Sequence, residues 1–183
     1  MSSVAKEEGE VLGEVAAKRL CVLKFGSSVL EHEHDYPKVV QEIYRHVRDG
    51  EKVVAVVSAL AGETDRLLEQ ARRVGGDAAP AALVARVARV GELHSAALMA
   101  LALSKAGLRA TTLDPHEMGL VADGTPLDAN LDSVDAEAVW SRIHLNDVVV
   151  LPGDEGLVTG NYQFTVPWPP VEQAAFGWEK EPA

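Results

Sequence analysis

Residues 20–29 read Leu20-Cys21-Val22-Leu23-Lys24-Phe25-Gly26-Ser27-Ser28-Val29, a short apolar run followed by a turn of small residues. A continuous apolar run of this length is typical of a strand buried on both faces. The run Val53-Val54-Ala55-Val56-Val57 repeats the pattern and also leads into small residues. Between the two runs, apolar residues recur at helical spacing from Val39 to Val47, and Asp49-Gly50 ends the periodic segment. Two buried strands joined by a helix predict a parallel pair with a right-handed crossover.

The rest of the chain continues this alternation. Two more strands are predicted, from Leu108 to Leu113 and from Asp147 to Leu151. Helices are predicted around Leu67, from Ala81 to Ala106 and from Val134 to Ile143, the longest of them either continuous or interrupted. Strands that alternate with helices indicate an α/β fold built on a mainly parallel sheet. In such a sheet, ligands bind beyond the C-terminal ends of the strands.

Length and composition restrict the class of protein. The chain has 183 residues, with 17 Lys+Arg against 28 Asp+Glu and a formal net charge of -11, and this length predicts one compact domain. An acidic chain with 5% aromatic residues lacks the basic, stacking surface of nucleic-acid-binding proteins, so no nucleic-acid partner is expected. The apolar run Ala96–Leu103 is far shorter than the roughly 20 residues of a membrane span. The N-terminus shows no secretory signal, and the single Cys21 favours a reduced, cytoplasmic setting.

The chain divides into three predicted parts. Residues 1–17 are acidic and predict a flexible arm, residues 18–159 contain the α/β domain, and residues 160–183 predict an irregular or disordered tail. The tail contains Pro167-Trp168-Pro169-Pro170, which neither a helix interior nor a central strand accommodates. The functional residues are therefore expected in the middle part.

The turn after the first strand is a candidate phosphate site. Lys24 supplies a positive charge, and the small side chains of Gly26, Ser27 and Ser28 let backbone N–H groups face an anion. The alternative is a tight strand-to-helix turn whose Lys side chain reaches solvent. The spacing differs from that of a P-loop.

Two further segments offer groups for a small ligand. Ser58 and Thr64 flank a predicted helix start, where hydroxyl and amide groups bind a carboxylate or a phosphate. Helix capping alone is the alternative, because Ser and Thr are preferred N-cap residues. Glu92, in Gly91-Glu92-Leu93-His94-Ser95, either holds an ammonium group or is a solvated residue on a helix face.

In this order, the three segments resemble the aspartate kinases of the amino-acid kinase superfamily. That family opens with Lys-Phe-Gly-Gly-(Ser/Thr)-Ser-Val after a strand, continues with Val-Ser-Ala…Gly…Thr-(Asn/Asp), and then has Gly-Glu-x-x-Ser on a helix. The matching residues here lie within 24–29, 57–65 and 91–95. Later matches to a strand, a substrate-side loop and a Val-Pro-Gly strand end lie at 113–114, 121–124 and 148–153. The resemblance covers roughly residues 19–157.

The resemblance implies a fold, a reaction and a set of roles. The fold is a three-layer αβα sandwich, truncated on its C-terminal side. The reaction is ATP-dependent phosphorylation of the L-aspartate side-chain carboxylate in amino-acid biosynthesis, with ATP and Mg as cofactors. Lys24 would neutralise charge on the transferred phosphoryl group, and Glu92 would bind the substrate ammonium group. The implied site residues are the catalytic Lys24, the substrate-binding Ser58, Thr64 and Glu92, and the phosphate-binding Gly26, Ser27 and Ser28.

The sequence also departs from the family pattern. The turn after Lys24 is one residue shorter, because one Gly stands where the family has two. The family continues from its Pro-Gly strand end into Leu-Gly-Arg-Gly-Gly-Ser-Asp, whereas no Arg follows Arg142 here. The family's ACT regulatory domains are absent as well. We therefore expect an incomplete or degenerate kinase that lacks the ATP-binding half.

A second interpretation is a non-catalytic module of the same fold that binds a small ligand or a partner subunit. The single-Gly turn also resembles an aspartokinase-like segment found on some homoserine dehydrogenases. An exposed sheet edge would favour a homo-oligomer or a complex with such an enzyme. Residues 31–35 combine His with carboxylates, but acidic residues also suit the helix start that follows, and we assign no metal site.

Overall fold

The structure, a computed structural model, describes residues 19–125 and 128–153. The described strands are β1 (Leu20–Phe25), β2 (Lys52–Val57), β3 (Ala110–Thr112), β4 (Val121–Thr125), β5 (Asp128–Ser133) and β6 (Val148–Pro152). The described helices are α1 (Tyr36–Arg48), α2 (Glu63–Gly75), α3 (Ala81–Lys105) and α4 (Ala136–Leu145). The predicted arm over 1–17 and tail over 160–183 lie outside the described residues.

A four-stranded parallel sheet in the order β1-β2-β6-β3 forms the centre of the fold. Phe25 at the end of β1 lies opposite Val57 at the end of β2. β6 lies between β2 and β3, with Val148 opposite both Val53 and Ala110. β4 and β5 form a separate antiparallel hairpin. Since each connection between the parallel strands is a crossover, the C-terminal ends of all four strands lie at one edge of the sheet.

Helices cover both faces of this sheet. One apolar cluster joins α1 and α3 to one face, and its most buried members include Ile43, Met99 and Leu103. A second cluster joins α4 to the opposite face through Val139 and Ile143. Alternation along β2 and β6 supplies side chains to both clusters, and each fully buried aliphatic side chain contributes ~1.5–3 kcal/mol. The predicted three-layer αβα sandwich is confirmed.

The helix boundaries follow from local sequence signals. α1 has Pro37 in its first turn, where the missing N–H is no loss. α4 begins after Asp135, whose side chain accepts the N–H groups of Glu137 at 3.0 Å and Ala138 at 3.1 Å. α3 is one continuous helix of 25 residues, which settles the choice between a continuous and an interrupted segment. No helix in the described part of the chain is long and apolar enough to cross a membrane.

Two expectations from the sequence are wrong. Among the strands of residues 19–125 and 128–153, β1 lies at the edge of the sheet, and Val22 is 36% exposed, so this apolar run is not buried on both faces. An apolar run shows that a strand packs somewhere, but it does not show the position of the strand in the sheet. The sequence predicts no strands at the hairpin β4–β5 and assigns residues 121–124 to a substrate-side loop, because polar residues, Asp123 and Asp132 among them, hide the alternation of a strand pair.

An ion pair between Arg109 and Asp147 connects β3 to β6 where both strands begin. The Arg109 guanidinium donates to the two carboxylate oxygens of Asp147 at 2.7 and 3.1 Å, and the Arg109 backbone N–H donates to the same carboxylate at 3.1 Å. The hydrogen bond from the Arg109 side chain is the main reason that the pKa of Asp147 is lowered to about 2. A carboxylate held by this many donors stabilises the fold only while it is charged.

Candidate functional site

The first two predicted segments meet at the C-terminal ends of β1 and β2. The Ser58 N–H donates to the Phe25 carbonyl at 3.0 Å, directly after the last paired residues of the two strands. The Gly153 N–H donates to the Val57 carbonyl at 2.8 Å and brings the end of β6 to the same place. These are the positions at which ligands bind to parallel sheets.

Close packing at Gly91 brings the third segment to the second. A Cβ atom on Gly91 would lie 3.1 Å from Ala59 Cβ, 3.1 Å from Leu67 Cδ1 and 3.2 Å from Glu63 Cγ. These atoms belong to the β2–α2 connection and to α2, so only a glycine lets α3 approach them this closely. The next residue, Glu92, is thereby held beside the segment that begins with Ser58.

Glu92 is buried, with 5% of its surface exposed. The alternative of a solvated residue on a helix face is therefore wrong. A carboxylate at this depth has lost most of its water and is stable only beside groups that donate hydrogen bonds or carry positive charge. A ligand ammonium group is a partner of that kind.

Ser58 is a buried polar residue whose hydroxyl is unsatisfied. It is 4% exposed, and its Oγ has no hydrogen-bond partner among the described residues. Leaving a buried hydroxyl unpaired costs ~1–3 kcal/mol. Fixed, unpaired polar groups are commonly part of a binding site, because a ligand satisfies them.

Helix capping does not explain Ser58 or Thr64. The N-cap of α2 is Gly62, in a left-handed conformation with φ of 75°, and no side chain caps it. Ser58 precedes the helix by several residues, whereas Thr64 is the second residue of the helix and is exposed. Thr64 therefore lies at the rim of the site, and it is not enclosed with Ser58 and Glu92.

The turn after β1 has free backbone donors. The Gly26 carbonyl accepts the N–H groups of Val29 at 2.9 Å and Leu30 at 3.0 Å, which closes the turn. Ser27 and Ser28 are exposed, and within residues 19–125 and 128–153 their N–H groups have no acceptor. A Cβ on Gly26 would meet no atom within 4 Å, so the turn itself does not require a glycine there.

Lys24 lies at the same end of the sheet but on its other face. Leu23 and Phe25 belong to the core under α1 and α3, and alternation along the strand therefore directs Lys24 away from that core. Its side chain is exposed. Lys24 and Glu92 thus approach the strand ends from opposite sides, so a ligand that contacts both has to lie across the C-terminal edge.

The structure adds residues that the sequence motifs did not identify. Tyr36 Oη and Ser95 Oγ are hydrogen-bonded at 3.1 Å in the core, and the pair joins the start of α1 to α3 one turn after Glu92. A Cβ on Gly153 would lie 3.1 Å from the Val57 carbonyl oxygen, so a larger residue here would have to displace the end of β2 by a few tenths of an ångström. The Pro-Gly dipeptide at the strand end was the available signal for Gly153, and nothing local indicated Tyr36.

The His-rich segment before α1 is organised by capping. Asp35 accepts the His32 backbone N–H at 3.0 Å and Lys38 Nζ at 2.8 Å. The hydrogen bond from Lys38 is the main reason that the pKa of Asp35 is lowered to about 2. Both carboxylate oxygens are therefore occupied, in agreement with the role in helix initiation.

Comparison with known proteins places this arrangement in a family. The model of the amino acid kinase family matches residues 19–165. An aspartokinase from Helicobacter pylori is 33% identical over 137 residues, which cover 75% of this chain and 34% of that protein. The chain thus spans about a third of the length of this curated relative.

Solved structures show the same fold. An aspartate kinase from Synechocystis superimposes with a TM-score of 0.59 at 27% identity, over 73% of this chain and 21% of that one. E. coli aspartokinase III in complex with aspartate and ADP gives 0.58 at 15% identity, over 73% and 40% of the two chains, and at that identity the match supports the fold alone. The family model matches most of the residues of this chain, which therefore belongs to the amino acid kinase family.

Proposed function

We propose that the described residues form the amino-acid-binding part of an aspartate-kinase-like domain, whose reaction is ATP-dependent phosphorylation of the L-aspartate side-chain carboxylate. The observation that carries the proposal is the burial of two polar residues, Glu92 on α3 and Ser58 after β2, in segments that pack together at Gly91 near the C-terminal edge of a parallel sheet. The relatives support the choice of ligand, because the aspartokinase from Helicobacter pylori is 33% identical to this chain over 137 residues.

Glu92 and Ser58 recognise the amino acid in this proposal. The Glu92 carboxylate binds the ammonium group, and a charged hydrogen bond of that kind contributes ~1.5–3 kcal/mol. Ser58 Oγ donates to a carboxylate oxygen, which satisfies the hydroxyl that has no partner among the described residues. Thr64, at the exposed start of α2, contacts the ligand from the rim.

The turn after β1 binds the phosphoryl group. ATP, when bound with Mg, supplies that group to the aspartate carboxylate. The unpaired N–H groups of Ser27 and Ser28 and the open space above Gly26 fit a phosphate. Lys24, exposed beside them, offsets negative charge there. We assign only this phosphate end of the nucleotide to the described residues, and propose that the remainder of its site is incomplete or degenerate in this chain.

Isothermal titration calorimetry of the full chain with L-aspartate, and separately with Mg-ATP, tests the proposal. L-aspartate binding that weakens at least tenfold in Glu92→Gln supports the amino-acid site. Glu137→Gln is a matched control, because this exposed carboxylate lies on α4, on the other face of the sheet. Binding of both ligands followed by release of ADP would mean that the chain is a complete kinase. Absence of L-aspartate binding would refute the proposal.

A second candidate function is a non-catalytic module that pairs with another subunit. It is favoured by the position of β1, an edge strand with an exposed Val22, since unpaired strand edges are sites of association. The partner would be a second copy or a related biosynthetic enzyme such as a homoserine dehydrogenase, in the cytoplasm. Light scattering across a concentration series tests self-association, and a strictly monomeric chain that does not bind that enzyme contradicts this candidate.

A further inference from the structure

A second cluster of reactive side chains lies at the opposite end of the sheet from the candidate site. It consists of Cys21 near the start of β1, His46 in the last turn of α1 and Glu51 just before β2. One ligand atom from each residue lies within 4.8 Å of the ligand atoms of the other two. From this geometry we propose that Cys21, His46 and Glu51 bind a divalent transition-metal cation of the Zn²⁺ type.

The donor set suits this class of cation. Thiolate sulfur, imidazole nitrogen and carboxylate oxygen are the three kinds of ligand that Zn²⁺ takes, and three protein ligands leave one position for water. Ca²⁺ and Mg²⁺ prefer oxygen ligands alone, so a thiol and an imidazole disfavour them. A thiolate and one carboxylate also neutralise the two positive charges of the ion.

The backbone holds the three residues in place. The Glu51 N–H donates to the His46 carbonyl at 3.0 Å, and the N–H of Lys52 donates to the Arg19 carbonyl at 2.8 Å. Cys21 lies opposite Val53 in the paired strands. The ligands therefore come from fixed elements, and only their side chains have to adjust. In a tetrahedral Zn²⁺ site the ligand atoms lie about 3.3–3.6 Å apart, so His46 Nδ1 and Glu51 Oε2, now 2.6 Å apart, have to separate, and a pair at the 4.8 Å limit has to close by roughly 1 Å.

Neighbouring charges orient the ligands. His46 Nδ1 is hydrogen-bonded to Glu51 Oε2 at 2.6 Å, and in the proposed site both atoms turn to the ion. The other ring nitrogen, Nε2, lies 3.8 Å from Glu42 Oε1, which is too far for a hydrogen bond, and a small approach of that carboxylate would let it support a metal-bound histidine. Arg19 lies 3.2 Å from the other oxygen of Glu51, which leaves Oε2 for the metal.

Binding exchanges a proton for the metal. Burial, and then the Glu51 carboxylate, raise the pKa of the Cys21 thiol, so the protein without metal carries S–H. Zn²⁺ displaces that proton, which is released to solvent as the metal–sulfur bond forms, and His46 binds through Nδ1 as the tautomer that carries its proton on Nε2. No change of oxidation state is involved.

The test is a titration of the reduced, chelator-treated full chain with Co²⁺ and with Zn²⁺. Co²⁺ should give a thiolate-to-metal charge-transfer band, which Cys21 alone can supply because it is the single cysteine of the chain. Zn²⁺ should abolish that band by competition and protect Cys21 from iodoacetamide. Cys21→Ser should remove the band, and His46→Gln should weaken Zn²⁺ binding on the order of 100-fold.

Controls separate this site from adventitious binding. His34→Gln, which removes an exposed histidine from the His-rich segment, should leave Zn²⁺ affinity unchanged. Thermal unfolding of each variant without metal identifies any variant that fails to fold. In that case the protection of Cys21 from iodoacetamide by Zn²⁺ in the wild-type protein remains as an independent test. The proposal is overturned if no charge-transfer band forms, if His46→Gln binds like wild type, or if half-saturation needs millimolar Zn²⁺.

Discussion

Replacing Ser58 with alanine should stabilise the protein in the absence of ligand. The Ser58 hydroxyl is buried at 4% exposure, and its Oγ has no partner in the described part of the chain. An unpaired buried hydroxyl costs ~1–3 kcal/mol, and removal of one oxygen atom leaves almost no cavity. We expect the free energy of unfolding to rise by about 1 kcal/mol, which raises Tm by roughly 3 °C in a domain of this size.

Ser95 offers a matched control for this change. It is buried at 1% exposure, but its hydroxyl is bonded to Tyr36 Oη at 3.1 Å. Ser95→Ala removes that hydrogen bond and leaves the tyrosine hydroxyl unpaired, so the free energy of unfolding should fall by about 2 kcal/mol. The two alanine variants should therefore shift stability in opposite directions.

The assay is urea unfolding followed by circular dichroism, with and without L-aspartate. At 100 times the dissociation constant, ligand stabilises wild type by about 2.7 kcal/mol. If Ser58→Ala binds tenfold more weakly, the same concentration stabilises the variant by only about 1.4 kcal/mol, which erases its advantage. The reasoning is refuted if Ser58→Ala is destabilised like Ser95→Ala, or if ligand stabilises it as much as wild type.

Three further changes test other parts of the account. Gly26→Ala should alter the free energy of unfolding by less than about 0.5 kcal/mol, because a Cβ there meets no atom, yet it should weaken phosphate binding in calorimetry. Gly91→Ala should lower the free energy of unfolding by about 1 kcal/mol, because the cost of overpacking, ~1–3 kcal/mol, exceeds the gain in helix propensity. An unchanged urea midpoint would contradict the close contact at Gly91. For Asp147 the folded pKa, about 2, lies below the ordinary value of 3.8, so its contribution to stability is present above pH 4 and is lost as the pH falls through 2. Asp147→Asn should therefore be less stable than wild type at pH 7, and most of this difference should be gone near pH 2, as measured by urea midpoints across that range.

Much of the fold could be predicted because its signals are local. The apolar runs at β2 and β6 and the helical periodicity of α1 are decided by burial of neighbouring residues, and the structure reproduces them within three positions. The order β1-β2-β6-β3 depends on contacts between distant segments, which no local pattern encodes. The edge position of β1 was missed for that reason, whereas the hairpin β4–β5 was missed because its polar residues hide the alternation of a strand pair.

The candidate site was predicted in part. The motifs around Ser58 and Glu92 indicated a common ligand site, and burial of both residues distinguishes that interpretation from capping and from a solvated carboxylate. The sequence could not show that the Lys24 side chain projects from the face of the sheet opposite α1 and α3. The direction of that side chain depends on which of its neighbours in the strand pack into the core. The cluster of Cys21, His46 and Glu51 was also missed, since its spacing matches no local metal-binding motif.

The central claim, that Glu92 recognises the amino group of an acidic amino acid, is tested most directly by comparing L-aspartate with succinate, which has both carboxylates and no ammonium group. Titration calorimetry of wild type and Glu92→Gln gives four dissociation constants. The account predicts that wild type prefers L-aspartate by at least about tenfold, in line with a charged hydrogen bond of ~1.5–3 kcal/mol, and that Glu92→Gln loses the preference. Equal binding of the two ligands by wild type, or an undiminished preference in the variant, would contradict it.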